Sequence, residues 1–174
     1  GVRWQPFTSR PENNSYDAQR PVIAQDSSYV QFWMAWSALE PTEANTDYLN
    51  RPSGYLQTME QAVDECKNRG IKVEFVFFHC PAWASESGES GGQRPKRGAF
   101  SAFVGRIAKY FKGRVDSYQL SHEVNNQGMM KGADVDFLID EIFIQGGRAV
   151  RQVYEQKPKL PVLISTSGMS PCEN

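Results

Sequence analysis

Residues 55–78, YLQTMEQAVDECKNRGIKVEFVFF, hold a complete passage from helix to strand. Tyr55, Leu56, Met59, Ala62, Val63 and Cys66 recur at helical spacing with charges between them, the pattern of an amphipathic helix. Arg69-Gly70 ends it, because glycine readily takes the left-handed conformation that closes a helix. The strand Ile71–Phe78 follows at once. Val73, Phe75 and Phe77 fall on one face, Val76 and Phe78 on the other. A strand apolar on both faces is expected of a parallel sheet buried under helices. Glu74 interrupts the pattern, and needs a partner if it faces inwards; a charge network in the floor of the sheet is the simplest account.

The same cycle extends in both directions. Upstream, Val2–Thr8 reads as a first strand, Ser9 to about Arg20 as a polar loop, Pro21–Gln25 as a short helix or turn, and Tyr29–Trp36 as an aromatic strand. Downstream, Phe100, Phe103, Val104, Ile107, Ala108 and Phe111 line a helix that stops near Gly113, and Val115–Leu120 is the next strand. Phe137–Tyr154 reads as a helix that Gly146-Gly147 weakens by about 1 kcal/mol per glycine, and Pro161–Thr166 as a fifth strand. Strands alternating with helices predict an α/β fold with a parallel (β/α) sheet, open or closed, about five βα units long, in one domain over residues 1–174.

Composition narrows the function classes. The chain is 40% hydrophobic and 22% charged with a formal charge of -1, ordinary for a globular protein and without the field that nucleic acid or anionic lipid requires. The run Arg94, Lys96, Arg97 is broken by Pro95 and reads as a solvated loop. No apolar stretch approaches a membrane span, no signal peptide is evident, and the opening at Gly1 suits a processed or trimmed product. Cys66, Cys80 and Cys172 are odd in number and imply no disulfide framework; Cys66 reads as helical and outward-facing, Cys80 as lying at a strand end. Asn13-Asn14-Ser15 fits a glycosylation sequon. Two histidines and scattered cysteines show no metal-ligand spacing, no glycine loop follows a strand to cradle a phosphate, and no cofactor is expected. Gly88-Glu89-Ser90-Gly91-Gly92 matches a nucleophile elbow in letters, but lacks the strand before it and the helix after it.

In βα folds, function collects where strands end. The strand ends here carry Thr8-Ser9-Arg10, Trp36-Ser37, His79-Cys80-Pro81-Ala82-Trp83, His122-Glu123 and Thr166-Ser167. Flat aromatic rings suit sugar faces, hydroxyls and imidazoles suit sugar hydroxyls, and a half-buried carboxyl at such a rim suits general acid catalysis.

Residues 29–41, YVQFWMAWSALEP, resemble the second-strand motif of the clan A retaining glycoside hydrolases, which are (β/α)8 barrels. Gly70–Phe75 with Cys80-Pro81-Ala82-Trp83 is similar to their third strand and following loop. Residues 115–126, VDSYQLSHEVNN, resemble their fourth strand, which usually ends in Asn-Glu. The resemblance implies that Glu123 is the catalytic acid/base, protonating the glycosidic oxygen and then activating water, with a nucleophilic carboxylate roughly 5–5.5 Å away. The chain departs from the pattern in carrying His122 where Asn is usual, which bears on the choice of sugar. That nucleophile belongs to a seventh strand, and the chain shows five; Glu173 follows the fifth in the tail. The resemblance therefore implies the N-terminal portion of a barrel, with a second chain or segment as the partner that completes it. His122, Trp83, Trp36, His79, Asn126 and Arg3 are the candidate substrate-binding residues, with core packing the alternative for Trp36 and Trp83 and pairing with a catalytic carboxylate a role for Arg3. Glu40 matches a family position that looks structural. A poly- or oligosaccharide substrate, a secreted location, and Glu123, Trp83 and the end of strand five converging on one cleft are the resulting expectations. The rival is a barrel-derived carbohydrate-binding or structural protein without catalysis.

Overall fold

The computed structural model describes residues 2–4, 28–43, 54–126 and 128–169. In them, strands β1 (Val2–Trp4, backbone only), β2 (Tyr29–Ala35), β3 (Lys72–Phe78), β4 (Ser117–His122) and β5 (Leu163–Gly168) alternate with helices. The helices are α1 (Trp36–Leu39), α2 (Tyr55–Asn68), α3 (Ala99–Tyr110), α4 (Val135–Phe137) and α5 (Gly146–Glu155). The loop Ser9–Arg20, the segment Pro21–Gln25, the sequon at Asn13, Cys172, Glu173 and the side chain of Arg3 lie outside the described residues.

The strands form one sheet in chain order, β1-β2-β3-β4-β5, and every pairing is parallel. A doubly wound sheet would reverse direction partway and place helices on both faces. Here one face carries the helical core. Val30, Phe32 and Met34 of β2 and Val73, Phe75 and Phe77 of β3 join Met59, Ala62 and Val63 of α2 and Phe103, Val104 and Ile107 of α3 in one apolar cluster. The opposite face carries a polar row in register, Gln31, Glu74 and Ser117. Sequential order with helices on one side is the geometry of a barrel wall.

That polar row answers the question posed by Glu74. Its carboxylate accepts from Gln31 Nε2 at 2.8 Å and Ser117 Oγ at 3.3 Å, so neutral donors meet it rather than a network of charges. Burial, with Glu74 alongside, pushes the Tyr29 hydroxyl up to about 12. Glu74 thus marks β3 as apolar towards the helices and mixed towards the interior.

Several boundaries and orientations differ from expectation. Cys66 is fully buried on the inner stripe of α2, not outward-facing, because it continues the series Met59, Ala62, Val63; Cys66 and Cys80 are both free thiols. β4 and β5 each run two residues further than read. Asp116 does not join β4: its carboxylate accepts from Val73 N–H at 2.9 Å and Lys72 Nζ at 3.0 Å, tying the starts of two strands. The expected continuous helix over 137–154 is α4, then a π-helix over Leu138–Gln145, then α5. Asp134 caps it through Phe137 N–H at 2.7 Å. Gly146 and Gly147 do not sit idly in its middle: a Cβ on Gly146 would lie 3.0 Å from Phe100 and 3.4 Å from Leu120, so the glycine lets α5 settle against its neighbours.

Candidate functional site at the strand ends

The carboxyl ends of β3 and β4 each finish in a left-handed residue that is not glycine, His79 (φ 56) and Glu123 (φ 46). A side chain in that region costs about 1 kcal/mol or more, so the surroundings must hold both in place. They do so through the backbone. Ser37 N–H donates to His79 C=O at 2.9 Å, linking the ends of β2 and β3, and Glu123 N–H donates to Gly168 C=O at 2.8 Å, linking the ends of β4 and β5. The rim is stitched strand to strand at the residues that turn out of it.

His122 ends β4, and its Nε2 lies 3.3 Å from Glu123 Oε1, with the carboxyl side chain 29% exposed. Its ring packs on Trp33 at 4.4 Å between centroids. Strict alternation from Gln119 would put Ser121, not His122, beside Trp33 on the inner face. The β3–β4 pairing stops at Val76↔Gln119, and Gln119 Nε2 donates to the Ser121 carbonyl at 2.7 Å, so the ladder is broken where the imidazole turns inwards. Trp33 is a site residue that sequence reading missed. The signal was present: Gln31 and Glu74 identify the interior face, and Trp33 stands two residues after Gln31.

Two loops form the wall beyond these residues. Cys80 and Gly91 exchange backbone bonds at 2.7 and 2.8 Å, closing the loop after β3 on itself. Lys131 N–H donates to Gly92 C=O at 2.8 Å, and Arg94 N–H to Lys131 C=O at 3.1 Å, zipping it to the loop after β4. Gly92 is required at that seam, since a Cβ there would fall 1.8 Å from the Gly128 carbonyl oxygen. Beneath lies a cavity of about 20 Å³, bounded by His79, Gln93, Ser121, His122 and Met130, with room for about one water. A sugar ring cannot enter it and would have to lie over the rim. Burial lowers the basicity of His79, which favours its neutral form.

The other candidates divide. Trp36 is 2% exposed, stacks on Phe103 at 4.9 Å and donates Nε1–H to Glu40 Oε2 at 2.8 Å. Its burial against Phe103 and Phe100 favours core packing, one of the two readings of Trp36, over a sugar platform. Trp83 is half-buried in a short 3-10 turn, donates Nε1–H to the Glu40 carbonyl at 2.7 Å and meets Trp36 edge-on at 6.0 Å. Its contacts run to the Trp36–Glu40 side, whereas Glu123, His122 and the end of β5 converge. Asn126 is exposed, with its Oδ1 accepting from Gly128 N–H at 2.9 Å in a local turn. Glu40 is the structural residue expected: it is fully buried and accepts from Arg106 Nε at 2.8 Å and Nη2 at 2.7 Å. Ser90 donates to the Cys80 carbonyl at 3.3 Å in a loop, without the strand an elbow needs. Among the described residues no cluster of His, Cys, Asp and Glu could hold a metal ion, and no helix is long and apolar enough to cross a membrane.

No family model matches the chain, and no curated protein matches it in sequence. Solved structures do match in shape. A family 39 glycoside hydrolase from Bacteroides cellulosilyticus WH2 aligns with 97% of this chain and 31% of its own, at TM-score 0.59 and 20% identity. The catalytic domain of the major endoglucanase of Xanthomonas campestris pv. campestris aligns over 98% of this chain and 52% of its own, at TM-score 0.59 and 17% identity. The exo-beta-1,4-mannosidase Op5Man5 from an Opitutaceae bacterium, strain TAV5, gives 94% and 31%, at TM-score 0.57 and 15% identity. The chain thus spans about a third to a half of the length of these proteins. What it shares with them is their fold, a parallel α/β arrangement of the TIM-barrel type found in clan A glycoside hydrolases.

Proposed function

We propose that this chain is the N-terminal portion of a glycoside hydrolase barrel that cleaves O-glycosidic bonds of a poly- or oligosaccharide with retention. Glu123 is the acid/base. In the first step its protonated carboxyl gives a proton to the glycosidic oxygen as the C1–O bond breaks and a carboxylate from outside this chain bonds C1. In the second, Glu123 takes a proton from water as the water oxygen displaces that carboxylate. His122, against Glu123 Oε1, orients the carboxyl and can donate a hydrogen bond to a sugar hydroxyl. His79 offers a further hydrogen-bond donor or acceptor, while Trp83 packs towards Glu40 and Trp36. The completing strands come from a further segment or a second chain.

The observation that carries this reading is the placement of Glu123. It leaves the end of β4 at φ 46, tied by its N–H to β5 and by its carboxylate to His122. An acid at a parallel strand's carboxyl end is where TIM-barrel chemistry gathers. The first prediction tests it in the protein with its barrel complete. Glu123→Gln should lower hydrolysis of unactivated glycosides by about 10²–10⁴-fold. With a dinitrophenyl glycoside, whose leaving group needs no proton, azide should restore turnover and yield the glycosyl azide of retained configuration. Unchanged hydrolysis in the variant would remove Glu123 from the mechanism. Sugar binding without cleavage by the parent protein would favour the non-catalytic alternative.

A further inference from the structure

The helical layer carries a second concave surface. A groove of about 470 Å³ runs between α3 and α5, on the side away from the sheet. Its floor is made by close helix contact at Gly105, where a Cβ would lie 3.7 Å from that of Ala149. Long polar side chains rise on both sides: Arg106 and Lys109 from α3, Arg148 and Gln152 from α5, with Gln145 and Gln156 at the ends. No acid lines it.

Charge is strongly segregated here although the whole chain sits at -1. From Ser90 to Val115 the sequence has seven cations and no acid, and on α3 and α5 together the one acid is Glu155. Arg94, Arg97, Arg106 and Arg114 are engaged by Glu86 and Asp134, Glu141, Glu40, and Glu60 and Asp64. Among the described residues no ion pair engages Lys109 or Arg148, the two cations left to face the groove.

We propose that this groove binds an acidic oligosaccharide, with carboxylate or sulfate groups against Lys109 and Arg148 and hydroxyls against Gln145, Gln152 and Gln156. Glutamine both donates and accepts, as a hydroxyl does, so neutral amides between two cations match a chain of sugars bearing intermittent charge. A nucleic acid would present a charge at each nucleotide, a denser run than Lys109 and Arg148 can match between neutral amides. A lipid surface would call for exposed apolar side chains, and those on this molecule, such as Val135 and Leu163, lie elsewhere. The site is independent of hydrolysis at the rim, so the fate of one reading does not decide the other.

The test is titration of the isotope-labelled Glu123→Gln protein, in which cleavage is suppressed, with tetragalacturonate, a chondroitin sulfate tetrasaccharide and neutral cellotetraose. Amide shifts should move within 101–109 and 145–156 for an acidic ligand, and the preferred acid identifies carboxylate or sulfate. Binding should weaken as salt rises from about 50 to 300 mM. Lys109→Gln with Arg148→Gln should weaken it about tenfold while the remaining spectrum keeps its dispersion. The proposal is overturned if neither acid moves these amides, if cellotetraose binds there as well, if the double variant binds like the parent, or if a single-stranded oligonucleotide binds the groove more tightly.

Discussion

Glu40 and Arg106 stand 66 residues apart in sequence and meet as a bidentate pair whose carboxylate is wholly buried. The same carboxylate takes the Trp36 indole proton, and the Glu40 carbonyl takes that of Trp83. Removing Arg106 takes away the bidentate partner of a buried carboxylate, so Arg106→Ala should cost about 3–5 kcal/mol in urea unfolding. A loss below about 1 kcal/mol would show that the pair is not holding α3 to the end of β2. Glu40 was legible as structural from its motif, but Arg106 was not, since no periodicity links a helix residue to a loop acid so distant. His79 supports a second prediction at this scale. Burial lowers its folded pKa below the ordinary 6.5, so the unfolded chain binds the proton more readily. The contribution of a neutral His79 is therefore full above pH 6.5 and declines as pH falls from there through the folded pKa. His79→Asn, which tolerates the left-handed backbone, should flatten the fall of the urea midpoint between about pH 7.5 and 5. With two histidines in the chain, proton NMR can assign the depressed titration directly.

Helices and strands were legible because hydrophobic spacing reports which face is covered, and α2 and α3 match their stripes closely. Strand ends were less legible: Val115 suits a strand by residue type, and the bond from Val73 N–H to the Asp116 carboxylate just before β4 left no signal in the sequence. The π-helix left no sequence signal, because one extra residue per turn shifts a stripe without erasing it. Propensity alone would improve α5 by about 1 kcal/mol on replacing either glycine by alanine. Packing separates them. A Cβ on Gly147 meets Leu120 and Ile164 at ordinary distances of 3.7 and 3.8 Å, whereas on Gly146 it presses Phe100 at 3.0 Å. Gly147→Ala should therefore raise the denaturation midpoint, and Gly146→Ala should leave it level or lower it by up to about 1 kcal/mol in stability. Equal stabilisation by both would show that α5 has slack against α3 and β4.

At the scale of the molecule, strand order was legible from the repeating cycle, but closure was not, because closure depends on which strand meets the outer side of β5, the last strand of the sheet among the described residues. The residues of β5 are more exposed than those of β3, with Leu163 at 73%. Leu163 N–H donates to Asp116 C=O at 3.0 Å, towards β4. Successive amides on a strand point to opposite neighbours, so Ile164 turns its N–H group away from β4. A lone 174-residue polypeptide should exchange the Ile164 amide for deuterium quickly while that of Leu163 stays protected. In a protein that supplies the strand beyond β5, Ile164 should slow by several orders of magnitude, to the range of β3, since a closed barrel has no edge. Persistent fast exchange in such a protein would mean that the sheet stays open at β5.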